Sequence, residues 1–594
     1  MISPRNLITA LLGIIPALTP QQTNGNSRWG ILPQLLFPQF LTNNPLPFGF
    51  PWGLLTALNS NPYTSSPNTG VIRYYDFTVK RGVIAPDGYQ KTVLLVNDQF
   101  PGPAIEANWG DTIQVTVNNQ IAAPEEGTAI HWHGFLQTQT PWFDGVPGVQ
   151  QCPIAPGNSF TYQFKAELYG TSWYHSHYSG QYTDGVLGPI IIHGPNTAHY
   201  DIDLGPVLLT DAFHKQYYDL IETVMTPLDK GGYPEPPSDN NMINGKMTFD
   251  CSTVAAGDTT PCNSDAGISK FVLTTGKTHL LRLINAGSEG LQRFSIDGHQ
   301  LTIIANDFVP IKPYTTTVVT LAVGQRSDVL ITANQGPPTA SFWMRSNIST
   351  ICSSTNQPNA LAAVYYNNAN TSTSPTSTAW DVPDPGTCRN DPLSLTVPQF
   401  PIAPAANPAV THEIEVNYII NASNNFLWTL DSQSYRADYN QPVLLLAEEG
   451  NDSFIPDMNV QDFGSYPTVR VVVTNPTNHS HPMHLHGHNM FILQEGTGTW
   501  DGTIVNPQNP QRRDVQLLPA NGYTVWQINA DNPGVWPYHC HVVWHISAGL
   551  YMNILERPED IKNAKRIPMI MAQTCTDWDA FSKSNYVDQI DSGL

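Results

Sequence analysis

The chain has 594 residues, of which 13% are charged, and its formal net charge is −21. It contains 51 Pro and 43 Gly, a composition that favours many short strands and turns over long helices. A strongly acidic chain without a run of Lys or Arg argues against nucleic acid and anionic membranes as partners.

The N-terminus has the pattern of an export signal. A weakly basic start, "MISPRN", precedes an apolar run, "LITALLGIIPALT", that is too short to span a bilayer. We therefore expect a signal peptide over 1–20 and a secreted, soluble, extracellular protein. Residues 21–69 are rich in Pro, Asn, Gly and Leu without a clear period, and we interpret them as a propeptide or linker, ordered in part by "LLFPQFL".

From residue 71 onward, short alternating runs such as "TIQVTVNN" and "FTYQFKA" predict strands separated by turns. The same pattern recurs to the end of the chain and predicts β-sandwich domains over 70–199, 200–385 and 386–594. In the middle domain, "SIDGHQLTI" aligns with "HLHGHNMFI" of the last domain, with Ser295 and Asp297 in place of two histidines. We therefore expect the middle domain to keep the strand but to lack metal ligands.

An internal repeat relates the first and last domains. "HWHG" at 131–134 is similar to "HLHG" at 484–487, and "SWYHSH" at 172–177 is similar to "WPYHCH" at 536–541. An isolated histidine is more often a surface or satisfied core residue than a ligand. Four stretches with the HxH pattern, in two matched pairs, instead predict a shared metal cluster, because alternate side chains of a strand lie on the same face.

The segment "HCHVVWH" predicts two metal sites back to back. On an extended segment, Cys540 points to the face opposite His539 and His541, so that the two sites are separated by on the order of 10 Å. One thiolate with two imidazoles and a weak axial position is typical of an electron-transfer copper site, and His545 and His481 are the candidate imidazoles. Zinc is the alternative, but it prefers a closed tetrahedral set such as Cys2His2.

With these motifs the chain resembles the multicopper oxidases, and most closely the laccases of ascomycete fungi, over about residues 70–594. The resemblance implies an all-β chain of three consecutive cupredoxin-like Greek-key β-sandwich domains that hold four copper ions, one of type 1, one of type 2 and two of type 3. It assigns the type 1 copper to His481, Cys540 and His545. It assigns the type 2 copper to His131 and His484, and the type 3 pair to His133, His175, His177, His486, His539 and His541. His479 and His488 match no ligand position, and we expect supporting or surface roles for them.

The resemblance also implies a mechanism in which single electrons from a phenol pass through Cys540 to the trinuclear cluster, where O2 is reduced to water. Asp144 matches an acidic residue beside that cluster, although Asp-Gly is also a common turn pair. In the same resemblance, Leu550 corresponds to the axial neighbour of the type 1 copper, and a leucine side chain cannot coordinate a metal ion. Asp239, in "SDNNMING", matches the carboxylate that binds the phenol and takes its proton, and its alternative role is that of a solvated turn residue.

The seven cysteines are an odd number, and Cys540 is the candidate for the unpaired thiol of an exported chain. Six cysteines alone would allow 15 pairings. The resemblance implies three disulfide bonds: Cys152–Cys575, Cys251–Cys262 and Cys352–Cys388.

Five glycosylation sequons begin at Asn347, Asn370, Asn421, Asn451 and Asn478. The final "DSGL" resembles a laccase terminus that enters the channel to the trinuclear cluster, and we expect a monomer.

Two other functions remain open at this stage. A protein that stores or binds copper without turnover is disfavoured by the complete ligand set. A metal-ion oxidase, such as a ferroxidase, would need acidic residues beside His481 and His545, where the local sequence is apolar. Ferroxidases of the family also carry a C-terminal membrane helix, whereas this sequence ends in "NYVDQIDSGL". We therefore favour a laccase that acts on benzenediols and methoxyphenols.

Overall fold

The computed structural model describes residues 27–42, 50–564, 567–585, 587 and 589–594. The expected signal peptide at 1–20 lies outside the described residues. The described chain consists mostly of strands, which confirms the expected all-β class.

The strands form three consecutive blocks. Those of the first block are β1 (Ile72–Ile84), β2 (Lys91–Val96), β3 (Ile105–Asn108), β4 (Thr112–Asn119), β5 (Ile130–Trp132), β6 (Ser159–Lys165), β7 (Gly170–Ser176) and β8 (Leu187–His193). Those of the second are β9 (Ile202–Ala212), β10 (Asn240–Ile243), β11 (Ser269–Leu273), β12 (Thr278–Asn285), β13 (Gln292–Ile296), β14 (Leu301–Asn306), β15 (Val309–Thr316), β16 (Val319–Leu321), β17 (Arg326–Thr332), β18 (Ser341–Ile348) and β19 (Asn359–Tyr366). Those of the third are β20 (Val410–Ile420), β21 (Phe426–Leu430), β22 (Val460–Gly464), β23 (Thr468–Asn475), β24 (His481–Leu485), β25 (Met490–Thr497), β26 (Gln511–Arg513), β27 (Val515–Leu518), β28 (Gly522–Asn529), β29 (Gly534–Cys540) and β30 (Tyr551–Glu556).

Helices are short and connect or flank the sheets. The α-helices are α1 (Tyr217–Met225), α2 (Val443–Glu449), α3 (Val543–Ser547), α4 (Pro558–Ala564) and α5 (Met569–Ser584). Short 3-10 helices span Pro141–Phe143, Gln181–Asp184, Leu228–Lys230, Cys251–Thr253 and Pro456–Met458. No helix in the described part of the chain is both long enough and apolar enough to cross a membrane.

Each block folds into a pair of sheets. The strand orders are β2-β1-β4-β6 and β3-β8-β7-β5 in the first, β10-β9-β12-β17-β14-β15 and β11-β19-β18-β13-β16 in the second, and β21-β20-β23-β28-β25-β26 and β22-β30-β29-β24-β27 in the third. Strands such as β4 and β23 alternate buried and partly exposed side chains, as expected for a sheet with one face on the core. The three blocks fall within the predicted ranges 70–199, 200–385 and 386–594, whose ends stay predictions.

The strands that carry the histidine motifs are buried on both faces. Every residue of β24 and β29 is buried, and so is every residue of β7 after Gly170. Their apolar side chains, including Trp173 and Trp536, belong to one continuous core that joins the first and third sandwiches, whereas the second sandwich has a core of its own. The histidine motifs therefore meet in the buried interface between the first and third sandwiches.

The described part of the N-terminal segment is packed against the sandwiches. The backbone N–H of Phe37 donates to the carbonyl of Asp203 at 3.1 Å. The side-chain amide of Gln34 exchanges two hydrogen bonds of 2.7 Å with the backbone of Val272. Its role as a propeptide or linker stays a prediction.

Three disulfide bonds have the pairing that the resemblance implies. They join Cys152 to Cys575, Cys251 to Cys262, and Cys352 to Cys388. The first ties α5 to the first sandwich across 423 positions of sequence. Cys540 is the remaining cysteine, and it is free and buried.

Candidate metal centres

Cys540 and two histidines form the first candidate centre. The Sγ atom of Cys540 lies 3.4 Å from Nδ1 of His545 and 3.7 Å from Nδ1 of His481, and the two Nδ1 atoms are 3.1 Å apart. His481 begins β24, which pairs with the Cys540 strand β29. His545 lies on α3, whose turn brings it back toward the end of β29. All three side chains are buried.

The chemistry of this group fits copper. Burial raises the pKa of the Cys540 thiol and lowers that of His481, so that the thiolate requires a cation beside it. One thiolate and two neutral imidazoles are the donor set of an electron-transfer copper site. Leu550 is placed at this group by its backbone: its N–H donates to the carbonyl of His545 at 2.9 Å, and its carbonyl accepts from the Cys540 N–H at 3.2 Å. Its side chain is fully buried and carries no donor atom.

Eight further histidines form a second cluster on the opposite face of β29. Each HxH motif contributes two, and the pairing of β5 with β7 and of β24 with β29 sets the motifs side by side. Nε2 of His486 lies 3.0 Å from Nε2 of His539, and Nε2 of His541 lies 3.3 Å from Nδ1 of His133. Three groups in this cluster have donor atoms within 4.8 Å of one another: His131, His484 and His486; His131, His133 and His175; and His177, His486 and His539.

The free nitrogens of this cluster also fit metal ions. His131, His175 and His484 each donate through Nδ1 to a backbone carbonyl at 2.8 or 2.9 Å, which leaves Nε2 as a lone pair. These three Nε2 atoms are buried and without a hydrogen-bond partner, as are both ring nitrogens of His177. Burial lowers the pKa of His175, His177 and His484, so that neutral imidazoles, the form that binds copper, are favoured.

Asp144 lies directly against this cluster. One of its carboxylate oxygens accepts from Nδ1 of His486 at 2.8 Å, and its carbonyl accepts from Nδ1 of His131 at 2.8 Å. Its side chain is fully buried between them. Such a contact fixes the tautomer and orientation of both rings, which is more than a turn residue does.

Sequence reasoning missed Asp514 and its partner Arg326. A carboxylate oxygen of Asp514 lies 3.1 Å from Nε2 of His133, and its carbonyl accepts from Nδ1 of His484 at 2.8 Å. Arg326, from the second sandwich, donates to the two carboxylate oxygens at 2.5 and 2.7 Å. Burial raises the pKa of Asp514 to about 6, and Arg326 opposes that rise. A side chain on Gly134 (φ +79°) would collide with both Arg326 and Asp514.

Asp239 contacts the His214 segment, and its role toward a phenol stays a prediction. Its carboxylate accepts from the backbone N–H of His214 at 2.8 Å, because the pairing of β10 with β9 fixes Asp239 beside that strand. Glu235 is the carboxylate that lies beside the first candidate centre. It is 2.9 Å from Nε2 of His545 and 3.4 Å from Nδ1 of His479. The sequence beside His545 is apolar, but the fold brings a carboxylate to this histidine from a distant position.

Glu235 and His545 line a cleft of about 70 Å³ that opens to solvent. Val542, Pro482 and Leu517 form its apolar wall. The cleft thus combines a short path to the candidate type 1 site with one carboxylate at hydrogen-bonding distance from His545. Asn478, the first residue of one sequon, lines the same cleft.

The remaining sequons and the two unassigned histidines lie outside these centres. His488 pairs with the buried Glu556 at 3.0 Å, and His479 lies beside Glu235. Asn370, Asn451 and Asn478 are exposed, and Asn347 and Asn421 are partly buried. In the second sandwich, Asp297 accepts two hydrogen bonds from Arg345 at 2.8 and 2.9 Å, so that it is engaged in an ion pair.

The last four residues end at the histidine cluster. Leu594 is 1% exposed and lines a small cavity together with His175, His177, His539 and His541. The N–H of Ser592 donates to the carbonyl of Ser547 at 2.8 Å, and the carbonyl of Gly593 accepts from the hydroxyl of Tyr439. The tail is therefore held in place along its length.

Comparisons with known proteins agree with this geometry. Three multicopper oxidase family models match residues 78–197, 203–369 and 420–560. Laccase-2 of Botryotinia fuckeliana is 38% identical over 556 residues, which cover 91% of this chain and 92% of that protein. The crystal structure of the laccase from Botrytis aclada superposes with a TM-score of 0.82 at 37% identity, over 91% of this chain and 98% of that one. Fet3p, described as a multicopper oxidase that functions in iron import, gives a TM-score of 0.75 at 26% identity, over 88% of this chain and 98% of that one. The chain, with its three cupredoxin-like sandwiches, therefore belongs to the multicopper oxidase family.

Proposed function

We propose that the protein is a laccase, which oxidises phenols one electron at a time and couples this to the four-electron reduction of O2 to water. The observation that carries the proposal is the arrangement on β29. Cys540 lies in one candidate centre and its two neighbours, His539 and His541, lie in the other. One covalent segment thus links a site that is accessible to donors with a buried site that can hold several metal ions.

The residues fit copper, and we assign the ions as follows. His481, Cys540 and His545 would hold the type 1 ion, with Leu550 as its axial neighbour. His131 and His484 would hold the type 2 ion, and the other six histidines of the cluster would hold the type 3 pair. When bound, the copper ions supply one-electron redox capacity and the site at which O2 accepts four electrons. Because the buried Leu550 side chain carries no donor atom, it would add no ligand to a copper ion held by these residues, which would disfavour Cu(II) and favour a high potential.

The protein's own groups provide proton transfer and orientation. A phenol in the cleft that donates a hydrogen bond to Glu235 loses its proton to that carboxylate as the electron leaves. At the cluster, Asp144 and Asp514 orient the imidazoles of His486 and His133. Leu594 lines the cavity beside the cluster, and a carboxylate at this position would be favoured by the copper charge and could take part in proton transfer.

We further propose that the protein is exported and acts as a glycosylated monomer on small phenols and O2. Three disulfide bonds and five sequons suit an oxidising compartment outside the cell. Western analysis of culture medium and light scattering of the purified protein test these two points. A product retained inside the cell, or a stable larger assembly, would contradict them.

Oxygen uptake by the copper-loaded protein tests the main proposal. Hydroquinone should sustain O2 consumption with water as the product, and the blue absorption of the type 1 centre should bleach under argon and return in air. A protein that binds copper but consumes no O2 with hydroquinone would instead be a copper-binding protein.

One observation favours a second function, the oxidation of a metal ion such as Fe(II). Glu235 gives the cleft a carboxylate at 2.9 Å from His545. The other acidic residue of the cleft, Glu289, already accepts from the Ser354 N–H and from Nε1 of Trp544. Glu235 alone, itself in contact with His545, is a sparse site for a hard cation, which prefers several oxygen ligands. A kcat/KM for Fe(II) that exceeds the value for hydroquinone would establish this second function.

A further inference from the structure

The cleft at His545 is small. Its volume of about 70 Å³ is well below the about 300–1,000 Å³ of pockets that enclose drug-sized ligands. A donor with several linked rings would not be enclosed in a cleft of this volume. A different path to the type 1 site would be needed for such donors.

The hairpin formed by β20 and β21 provides a second approach to the same centre. Trp428, on β21, is 2% exposed, and its ring lies 4.8 Å from that of His481 and 4.7 Å from that of His545. The backbone N–H of Trp428 donates to the carbonyl of Ala548 at 2.9 Å, which anchors the hairpin to the segment after His545. The indole therefore touches both candidate imidazole ligands within the buried core.

Tyr418 extends this contact to the surface. It lies directly opposite Trp428 in the hairpin, and the two ring centroids are 5.8 Å apart. Tyr418 also stacks on Phe426 at 4.9 Å and is 46% exposed. Ile420, on the same face of the strand, is 53% exposed. The ring of Tyr418 is thus an exposed aromatic surface with an apolar neighbour, on which another aromatic ring can stack.

We infer that Tyr418 and Trp428 form a second electron route, by which phenolic groups of donors too large for the cleft are oxidised at the protein surface. This inference rests on the proposed laccase function, which supplies Cu(II) at the type 1 site as the oxidant. A phenolic ring stacked on Tyr418 gives up one electron, which passes through the rings of Tyr418 and Trp428 to that copper and reduces it to Cu(I). The phenol releases its proton to solvent water and leaves as a neutral phenoxyl radical.

The test compares one phenol in two forms, free 2-methoxyphenol and a 2-methoxyphenol coupled to dextran. Bleaching of the type 1 absorption is followed under argon after rapid mixing with the copper-loaded enzyme. Binding of the dextran-linked phenol to the fully reduced enzyme is measured separately, because this readout requires no turnover. The variants are Tyr418→Ser, Tyr418→Leu and Tyr418→Phe. Tyr466→Ser, at another tyrosine of the third sandwich that is 49% exposed, is the matched control.

We expect Tyr418→Ser to weaken binding of the linked phenol and, like Tyr418→Leu, to slow its bleaching reaction by about two- to tenfold, the range that one aromatic contact supports. Tyr418→Phe should restore binding and most of the rate, and Tyr466→Ser should change neither. The free phenol should react at the parental rate in every variant.

Parental bleaching by the linked phenol in Tyr418→Leu or Tyr418→Ser would overturn the inference, because no aromatic ring would then be required. Equal slowing of the free and linked phenols would also overturn it, since Tyr418 would then act by supporting the copper site. Failure of the free phenol to bleach the parental enzyme would instead refute the proposed laccase function.

Discussion

Arg326 offers a test of whether the second sandwich, which holds no candidate ligand, shapes the trinuclear cluster. The change is Arg326→Met, which keeps an unbranched apolar side chain and removes the charged guanidinium. Asp514 would then lose its two hydrogen bonds of 2.5 and 2.7 Å while its contact with His133 remained. Because Asp514 holds the His133 ring through Nε2, its freedom to move would misplace Nδ1, the nitrogen that faces the cluster.

The expected magnitudes follow from burial. Arg326 and Asp514 are both fully buried, and loss of one partner of such a pair costs about 3–5 kcal/mol of folding free energy. Loss of a group that orients a metal-binding histidine costs about 10- to 100-fold in metal affinity, or about 1.4–2.8 kcal/mol. The first effect is a property of any buried pair, so that a control is needed to isolate the second.

Arg282→Met is that control. Arg282 lies on β12, the neighbour of the Arg326 strand β17, and it is also buried and paired with a carboxylate, Asp203, at 2.7 Å. Both variants should show a similarly lowered unfolding midpoint. Only Arg326→Met should release copper from the trinuclear cluster at about 10- to 100-fold lower chelator concentration. The type 1 absorption should persist in both.

The assay is copper content and the type 2 electron paramagnetic resonance signal after dialysis against graded chelator, with thermal unfolding measured in parallel. Equal copper loss from the two variants would mean that Arg326 acts only through general stability. Full copper retention in Arg326→Met would show that the contact between Asp514 and His133 needs no support from the second sandwich. Either result would refute the positioning role.

Four further predictions follow from the site. Cys540→Ser should abolish the blue absorption and nearly all activity while leaving the fold mostly intact, because the thiol is a free ligand and not a disulfide partner. Leu550→Met should lower the type 1 potential in a redox titration, because a thioether can approach and stabilise Cu(II). Glu235→Ala should lower kcat/KM for phenols by up to about a hundredfold and spare a non-phenolic one-electron donor, whereas Asp239→Ala should affect neither donor. Deletion of 591–594 should change activity and the type 2 and type 3 spectra while the type 1 absorption stays near normal, because the tail ends at the histidine cavity.

Each of these four predictions has an outcome that would contradict it. Substantial activity in the serine variant would refute the path through Cys540, and an unchanged potential would place Leu550 away from the copper. Equal losses of kcat/KM for phenols and for the non-phenolic donor would indicate that Glu235 has only a structural role. A larger loss of kcat/KM for phenols in Asp239→Ala than in Glu235→Ala would indicate that Asp239 takes the phenol proton. Unaltered turnover and spectra after the deletion would show that the tail is a dispensable end.

The architecture and the histidine motifs were predictable because their signals are local. The alternation of side chains with period two can be recognised within each strand. At the end of β29 it places His539, and His541 just after the strand, on the face opposite Cys540. The cysteine pairing was reached through family resemblance, since composition alone leaves many pairings open. The sequence also predicts that the second sandwich lacks these metal ligands, because Ser295 and Asp297 replace the histidines at aligned positions.

The residues around the ligands were not predictable in the same way. Glu235 reaches His545 across 310 positions of sequence, and Asp514 reaches His133 across 381. No periodicity encodes such contacts, because they depend on how separate sandwiches pack. Asp239 lies only four positions from Glu235 in the sequence, but the pairing of β10 with β9 places its carboxylate beside His214. The sequence did not identify Arg326 as a site residue, because it lies in the second sandwich, where no ligand motif occurs.

The central claim is that one copper bound through Cys540 is linked by that segment to a three-copper cluster. Absorption and electron paramagnetic resonance spectra of the purified protein, recorded with its copper content, test it most directly. We expect four copper ions per chain, an intense blue thiolate-to-copper band, and separate type 1 and type 2 resonance signals of equal intensity. A protein with a single copper ion, or one with its full copper content but no blue band, would contradict it.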